Sequence, residues 1–333
     1  MQIVTFPAQL IDAYLSEVRE LLESGRVAEG RYFRDQGEPF VKNRHSVPVS
    51  SGGAALFALL AFQRETAGRS LAIVQSNTMR ALYTVPRLLG MKPLVAESSY
   101  DDFMAMSPLS LERLLGERGV ARAAVVVYSV IGGYLAPSFE RIYDICRQAG
   151  VPLIVDGAHA HYLDLLLQVE VDIAYSFYAT KVLPAGEGGL IVSPDPERVA
   201  WLRRFLTYDR FSNQLEVGIN LRASELGGAL MHRLMTDATL LPHFKTARVR
   251  IAERYRAICV ERGIRYLDPR AAADYNGYKL IVLDAREQLA LLGTPLTEHA
   301  PTSGVFDTDV LGKPTTLPHW CPPTYSSLGS AAP

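Results

Sequence analysis

Cysteine is scarce in this 333-residue chain: Cys146, Cys259 and Cys321 lie far apart, with no Cys-x-x-Cys and no paired spacing. That scarcity excludes a disulfide framework and a cysteine-built metal site, and it suits a reducing compartment. An excess of one charge sign is also missing, since 34 Lys and Arg face 35 Asp and Glu for a net charge of -1. No basic cluster interleaved with aromatic residues occurs, so a nucleic-acid partner has no electrostatic basis. Long hydrophobic runs are absent as well, and none reaches the ~18 residues that a membrane span needs. The first residues, MQIVTFPAQLIDAYLSEVRELLES, carry acidic groups early and have no basic start ahead of an apolar core, unlike a signal peptide. These absences predict a cytoplasmic protein without membrane or nucleic-acid partners.

What is present is the balance of a globular protein, with 48% hydrophobic and 21% charged residues and enough chain for a large core or two domains. Over 8–22 the apolar positions recur at three and four, which predicts a surface helix ended by Gly25. The polar stretch GRVAEGRYFRDQGEPF reads as irregular. Strand and helix then alternate: HSVPVSS, SLAIVQSN, PLVAES, AAVVVYSV, PLIVDG, VDIAYSFY and GGLIVS as strands, GAALFALLAFQRE, MRALYTVPRLLG, SLERLLGER and FERIYDICRQAG as helices. Val- and Ile-rich strands in this order predict an α/β fold with a mostly parallel sheet covered by helices on both faces. Helical patterns return over 198–206, 221–235 and TARVRIAERYRAICVERG, and YKLIVLDA is the clearest later strand. A boundary near residue 240 divides the chain into 1–240 and 241–333, and the tail CPPTYSSLGSAAP reads as loosely held.

Ligands of open parallel sheets gather at the carboxyl ends of strands, so the residues there carry the functional reading. At SSGGAAL, the small residues Ser51, Gly52, Gly53 and Ala54 run into a helix whose first N–H groups can close around a phosphate; a tight turn without ligand is the plainer reading. In PLIVDGAHAH, Asp156 ends an apolar strand and needs a cationic or hydrogen-bonding partner. It could instead cap a helix, or join His159 and His161 at a metal, although no further ligand cluster accompanies them. In SFYATKVLPAGEGG, Lys181 sits 25 residues beyond Asp156, where desolvation would disfavour its ammonium form and leave a nucleophilic amine; a loop lysine at the surface is the alternative. In VGINLRASELGGAL, Asn220 and Arg222 read as placed for contact rather than packing.

Taken together, a phosphate cradle, a buried aspartate and a reactive lysine with the neighbouring Ser176 make the constellation that pyridoxal phosphate needs. The aspartate keeps the ring nitrogen protonated, the lysine binds the aldehyde, and the Gly-rich turn and Ser176 anchor the phosphate. No metal is expected.

Over roughly 8–235 the sequence resembles the DegT/DnrJ/EryC1/StrS aminotransferases. The resembling segments, in order, are GRVAEG, SSGGAAL, SNTMRAL with LGMKPLVAE, DGAHAH, SFYATKVLPAGEGG and GINLRASELGGAL. The resemblance implies a fold type I transferase, with a seven-stranded, mostly parallel sheet in an α/β/α sandwich and a small C-terminal α+β domain. It implies that Lys181 carries the cofactor and shuttles the proton, that Asp156 pairs with the pyridine nitrogen, and that His159 sits against the ring near its 3-hydroxyl. It also implies that Ser176, Gly53 and Ala54 hold the phosphate, while Asn220 reaches the phosphate of the neighbouring subunit in a homodimer.

The chain departs from the family pattern at two of these positions. Met79 stands where an aromatic residue usually stacks on the ring, and Gly53 stands where a Thr is usual. The C-terminal part is shorter than the family's, and within it Tyr278 and Lys279 resemble a small-domain strand, with an edge position and a substrate role both open. The implied reaction moves an amino group from an amino acid, L-glutamate by family expectation, to a keto-sugar, most simply a nucleotide-linked 3- or 4-keto sugar. A keto-cyclitol acceptor is one alternative, and a non-catalytic cofactor-binding sensor is another. A dehydratase is disfavoured because its lysine position carries His. Candidate substrate loops are 26–40 and 208–214.

Overall fold

Seven strands build the central sheet of the computed structural model: β1 (His45–Val49), β2 (Leu71–Gln75), β3 (Lys92–Ala96), β4 (Ala124–Ser129), β5 (Leu153–Asp156), β6 (Asp172–Ser176) and β7 (Gly189–Ser193). The structure describes residues 6–34, 40–99, 101–210, 212–240 and 242–283, and the backbone of 304–306 and 314–315. Side by side the strands run β1-β7-β6-β5-β4-β2-β3. The five from β3 to β6 are parallel, and β7 is antiparallel to both β6 and β1. The expected seven-stranded, mostly parallel sheet is therefore present.

Because side chains alternate across a strand, each strand feeds two cores. Val47, Ala72, Val74, Val125, Val127, Ile154, Ala174 and Ile191 pack on one face against α2 (Gly52–Ala67), α3 (Ala81–Leu88) and α6 (Pro196–Phe205). Ile73, Val126, Tyr128, Val155, Ile173, Leu190 and Val192 pack on the other against α1 (Ala8–Ser24), α4 (Pro108–Gly116), α5 (Phe139–Gln148) and α7 (Glu225–Thr236). Burial on both faces explains why the strands read as unbroken Val/Ile runs. As expected from the sequence, α1 ends at Gly25, whose left-handed φ of 67° lets its N–H turn back to Leu22 O.

From β3 the chain returns past β2 to form β4, so the strand order reverses between them. The crevice outside the carboxyl ends at such a reversal is where doubly wound sheets bind ligands. Ser129, Asp156 and Ser176 close β4, β5 and β6 there, and each keeps the facing of Val127, Ile154 and Ala174 two residues earlier, toward the side of α2.

Three expectations change. The helix expected from 221 starts at Glu225, because Ser224 caps it by accepting the Gly227 N–H at 3.1 Å, and Arg222 bridges to Val49 instead. The stretch expected to be irregular after Gly25 holds one helical turn, Arg31–Arg34. YKLIVLDA forms no ladder over 278–283; its one bridge pairs Val282 with Tyr266, and 284–285 lie outside the described residues. The expected boundary near 240 falls between α7 and α8 (Ala247–Glu261). About half of 241–333, including the tail CPPTYSSLGSAAP, lies outside the described residues.

Candidate active site

A cavity of about 440 Å³ opens at the strand ends, and its walls include Gly52, Gly53, Thr78, Met79, Asp156, His159, Ser176, Tyr178, Lys181, Glu187, Tyr278 and Lys279. Its floor is the start of α2. Ser51 caps that helix by accepting the Ala54 N–H at 3.1 Å, which aims the remaining first-turn donors at the cavity. Close backbone approach needs glycine here: a Cβ on Gly52 would lie 2.7 Å from Ser176 Cβ, and one on Gly189 would lie 2.2 Å from Ser51 O. Gly53 differs, since a Cβ there would meet nothing nearer than Ser51 Oγ at 3.7 Å. The residue is small without being forced to be.

Asp156, the last residue of β5, is buried and lines the same cavity. Its Oδ1 accepts the Ala158 N–H at 3.1 Å, and its Oδ2 accepts from Ser129 Oγ at 3.4 Å. Behind Ser129, Thr78 Oγ1 stands 2.7 Å away, and Gln75 Oε1 accepts the Ser129 N–H at 3.0 Å. Burial raises the Asp156 pKa, while the Ala158 N–H, the charge of Lys181 and the Ser129 hydroxyl oppose the rise. A cationic ring nitrogen in the cavity would stabilise this carboxylate in its charged form.

Lys181 follows β6 in a turn held by Ala179 N–H to Gly186 O at 3.0 Å, Ala185 N–H to Phe177 O at 2.8 Å and Lys181 N–H to Tyr178 O at 2.8 Å. Its Nζ is 3.2 Å from His159 Nε2. Desolvation lowers the Lys181 pKa and Asp156 partly restores it; desolvation followed by the charges of Lys181 and Lys279 pushes His159 well below the imidazole range. The pair sets an imidazole held neutral beside an amine that gives up its proton more easily than a free lysine, which suits nucleophilic attack and proton transfer. His159 is itself fixed, because its Nδ1 accepts the Gly132 N–H at 3.3 Å and its carbonyl accepts from Asn276 Nδ2 at 2.7 Å.

α8 and the segment after it strap the loops that carry His159 and Lys181. Asn276 Nδ2 also donates to His161 O at 2.9 Å, Tyr278 Oη donates to Thr180 O at 3.0 Å, and Arg248 Nη2 donates to Lys181 O at 3.3 Å. Asn276, Ser129, Thr78 and Gln75 were not singled out by sequence. The signal for Gln75 and Ser129 was available, because each is a polar residue ending an apolar strand, as Asp156 is. Asn276 precedes Gly277 and reads as an ordinary turn dipeptide.

Met79 lies on the cavity wall, 59% exposed. Ala54 is buried behind the cradle, and Asn220 is exposed in the loop before α7 and is not among the residues lining this chain's cavity. Arg222 does not project for contact with a ligand: its Nη1 donates to Leu206 O at 2.6 Å and its Nη2 pairs with Glu29 at 3.1 Å. His161 is fully buried between the Tyr175 and Phe177 rings, each 4.9 Å away, and burial lowers its pKa to about 3. Asp156, His159 and His161 thus do not converge, and among the described residues no group of three or more His, Cys, Asp or Glu could hold a metal. Neither 26–34 nor 208–214 lines the cavity; 35–39 and 211 lie outside the described residues.

The donor set fits pyridoxal phosphate: helix N–H groups and Ser176, a buried carboxylate and an amine of lowered pKa share one cavity. The DegT/DnrJ/EryC1/StrS aminotransferase family profile matches residues 9–305. The chain belongs to this family, and it is a pyridoxal phosphate-dependent aminotransferase. S. venezuelae DesV, solved in complex with a ketimine intermediate, aligns with a TM-score of 0.72 at 21% identity over 88% of this chain and 81% of its own. Helicobacter pylori PseC, an aminotransferase involved in pseudoaminic acid biosynthesis, gives 0.69 at 20% identity over 87% and 78%. DesI, solved in the presence of its TDP-sugar product, gives 0.65 at 22% identity over 81% and 69%. At these identities the likeness is one of fold, and that fold is the type I transferase architecture. No helix among the described residues is long and apolar enough to cross a membrane.

Proposed function

We propose that the chain transfers an amino group from an amino acid, L-glutamate by family expectation, to a nucleotide-linked 3- or 4-keto sugar in amino-sugar biosynthesis. The observation that carries the chemistry is the contact of 3.2 Å between Lys181 Nζ and His159 Nε2, on the wall of the cavity that also holds Asp156 and the start of α2. The acceptor class is supported by relatives of the same fold that act in sugar pathways, DesI with a TDP-sugar product and PseC in pseudoaminic acid biosynthesis.

Pyridoxal phosphate, when bound, supplies a carbonyl that carries the amino group between substrates and a ring that accepts electrons. The chain supplies the rest. Ser51, Gly52, Gly53 and Ser176 would hold the phosphate, with Asn220 of a second copy completing the cradle in a homodimer; Ala54, expected to join them, has its N–H taken by Ser51 Oγ and lies off the cavity wall. Asp156 would hold the ring nitrogen protonated, and Met79 would offer the ring a flexible thioether. Lys181 would be the covalent attachment point and the base that moves the proton. His159 keeps its imidazole neutral against Lys181. Residues 1–240 form the cofactor domain and 241–333 the small domain, in a cytoplasmic enzyme.

Borohydride reduction of cofactor-saturated protein followed by peptide mapping tests the attachment. Label at Lys181 is expected, and label elsewhere overturns the site. The cofactor absorbance is expected to bleach with L-glutamate and return with a nucleotide-linked 3- or 4-keto sugar, giving an amino-sugar mass; recovery with a keto-inositol alone would replace the sugar by a cyclitol.

A further inference from the structure

The cavity must hold the carboxylate of an amino donor as well as the cofactor, and its charges are few. Among the described residues lining it, Asp156 and Glu187 are the carboxyl groups and Lys181 and Lys279 the amines. Asp156 and Glu187 would repel a carboxylate, and Lys181 is taken by the cofactor on the reading above. We propose that Lys279 binds the α-carboxylate of the amino donor, an inference that rests on the aminotransfer reading.

The placement supports it. Lys279 N–H donates to Gly132 O at 3.1 Å, in the same loop whose Gly132 N–H holds His159, so its backbone is tied to the reacting end of the cavity. Its Nζ lies 5.0 Å from the centre of the Tyr278 ring, that ring lies 4.7 Å from the His159 ring, and His159 is 3.2 Å from Lys181 Nζ. The cation therefore stands one aromatic side chain away from the amine–imidazole pair. An α-carboxylate is one carbon from the nitrogen that must reach this pair, so it has to settle in this neighbourhood. The phosphates of a nucleotide-linked acceptor are many bonds from its carbonyl and reach outward instead. Tyr278 Oη, held by Thr180 O at 3.0 Å, keeps the ring that supports the cation in place.

The test pairs a side-chain deletion with a substrate deletion. Single-turnover bleaching is measured on the cofactor-saturated full chain, wild type, Lys279→Met and Lys279→Arg, with L-glutamate, its α-amide and its γ-amide; retained cofactor absorbance and thermal melting confirm folding. Removing one charge-assisted hydrogen bond should lower the rate constant per donor concentration for L-glutamate about 10- to 100-fold in Lys279→Met. The α-amide should be slow with wild type and no slower with the variant, and Lys279→Arg should recover part of the loss. The return half-reaction with keto-sugar should be unchanged. Equal rates for L-glutamate in wild type and Lys279→Met overturn the assignment, as does a loss confined to the keto-sugar step or to discrimination against the γ-amide. If no amino acid bleaches the wild type, the aminotransfer reading fails first and the inference falls with it.

Discussion

Replacing His161 by leucine should remove part of the protein's sensitivity to mild acid. His161 is fully buried, and neither ring nitrogen has a hydrogen-bond partner among the described residues. Burial lowers its pKa to about 3 from a usual 6.5, helped by the charges of Lys181 and Arg248. The unfolded chain therefore binds a proton at this residue between about pH 6.5 and 3 that the folded chain refuses. The stabilisation is whole above pH 6.5 and is lost as pH falls toward 3, at about 1.4 kcal/mol per pH unit within the window. Between pH 7 and pH 5 that amounts to about 2 kcal/mol. Leucine keeps the apolar contact with Tyr175 and Phe177 and removes the titration. Urea unfolding of wild type and His161→Leu at the two pH values, followed by tryptophan fluorescence, gives the double difference. The variant should lose about 2 kcal/mol less stability on acidification than wild type. Parallel losses would refute the reasoning, because they would mean that the folded chain takes up the proton at His161 as readily as the unfolded one.

Gly53→Thr should be tolerated, since the nearest atom to the added Cβ is 3.7 Å away. Its hydroxyl should tighten cofactor binding by about 1 kcal/mol in equilibrium titration; weaker binding would mean that the cradle needs the bare backbone. Asp156→Asn should keep the cofactor bound, as judged by absorbance, and lower kcat by at least about 100-fold, because the amide cannot hold the ring nitrogen protonated; unchanged kcat would remove Asp156 from the chemistry. Asn276→Ala strips the side-chain donor from His159 O and His161 O. It should cost about 2 kcal/mol in urea unfolding and lower kcat more than it raises KM; an effect on stability alone would leave the strap without a role in positioning His159.

The sheet was legible because both of its faces are buried. Strands such as AVVVYS and LIVD have no polar side to blur their boundaries, and the polar residue that ends each one marks the edge of the crevice. The same logic that exposed Asp156 applies to Ser129 and Gln75, but a serine or glutamine at a strand end is also common without a ligand, so the pattern alone does not separate them. The later segment was harder to read for a different reason. YKLIVL has strand composition, yet Lys279 N–H and Asn276 N–H bond to Gly132 O and Gly133 O, and Tyr278 Oη bonds to Thr180 O, which spends the segment on the loops around the candidate site instead of on a ladder. Gly133 makes that docking possible, since a Cβ there would stand 1.9 Å from Asn276 Oδ1. A glycine chosen for a contact 143 residues away carries no local sign of its purpose, and its φ of 85° alone would explain it as a turn. Candidate site groups on strand ends are visible in sequence because local burial makes them anomalous; the residues that position those groups become visible only when distant segments meet.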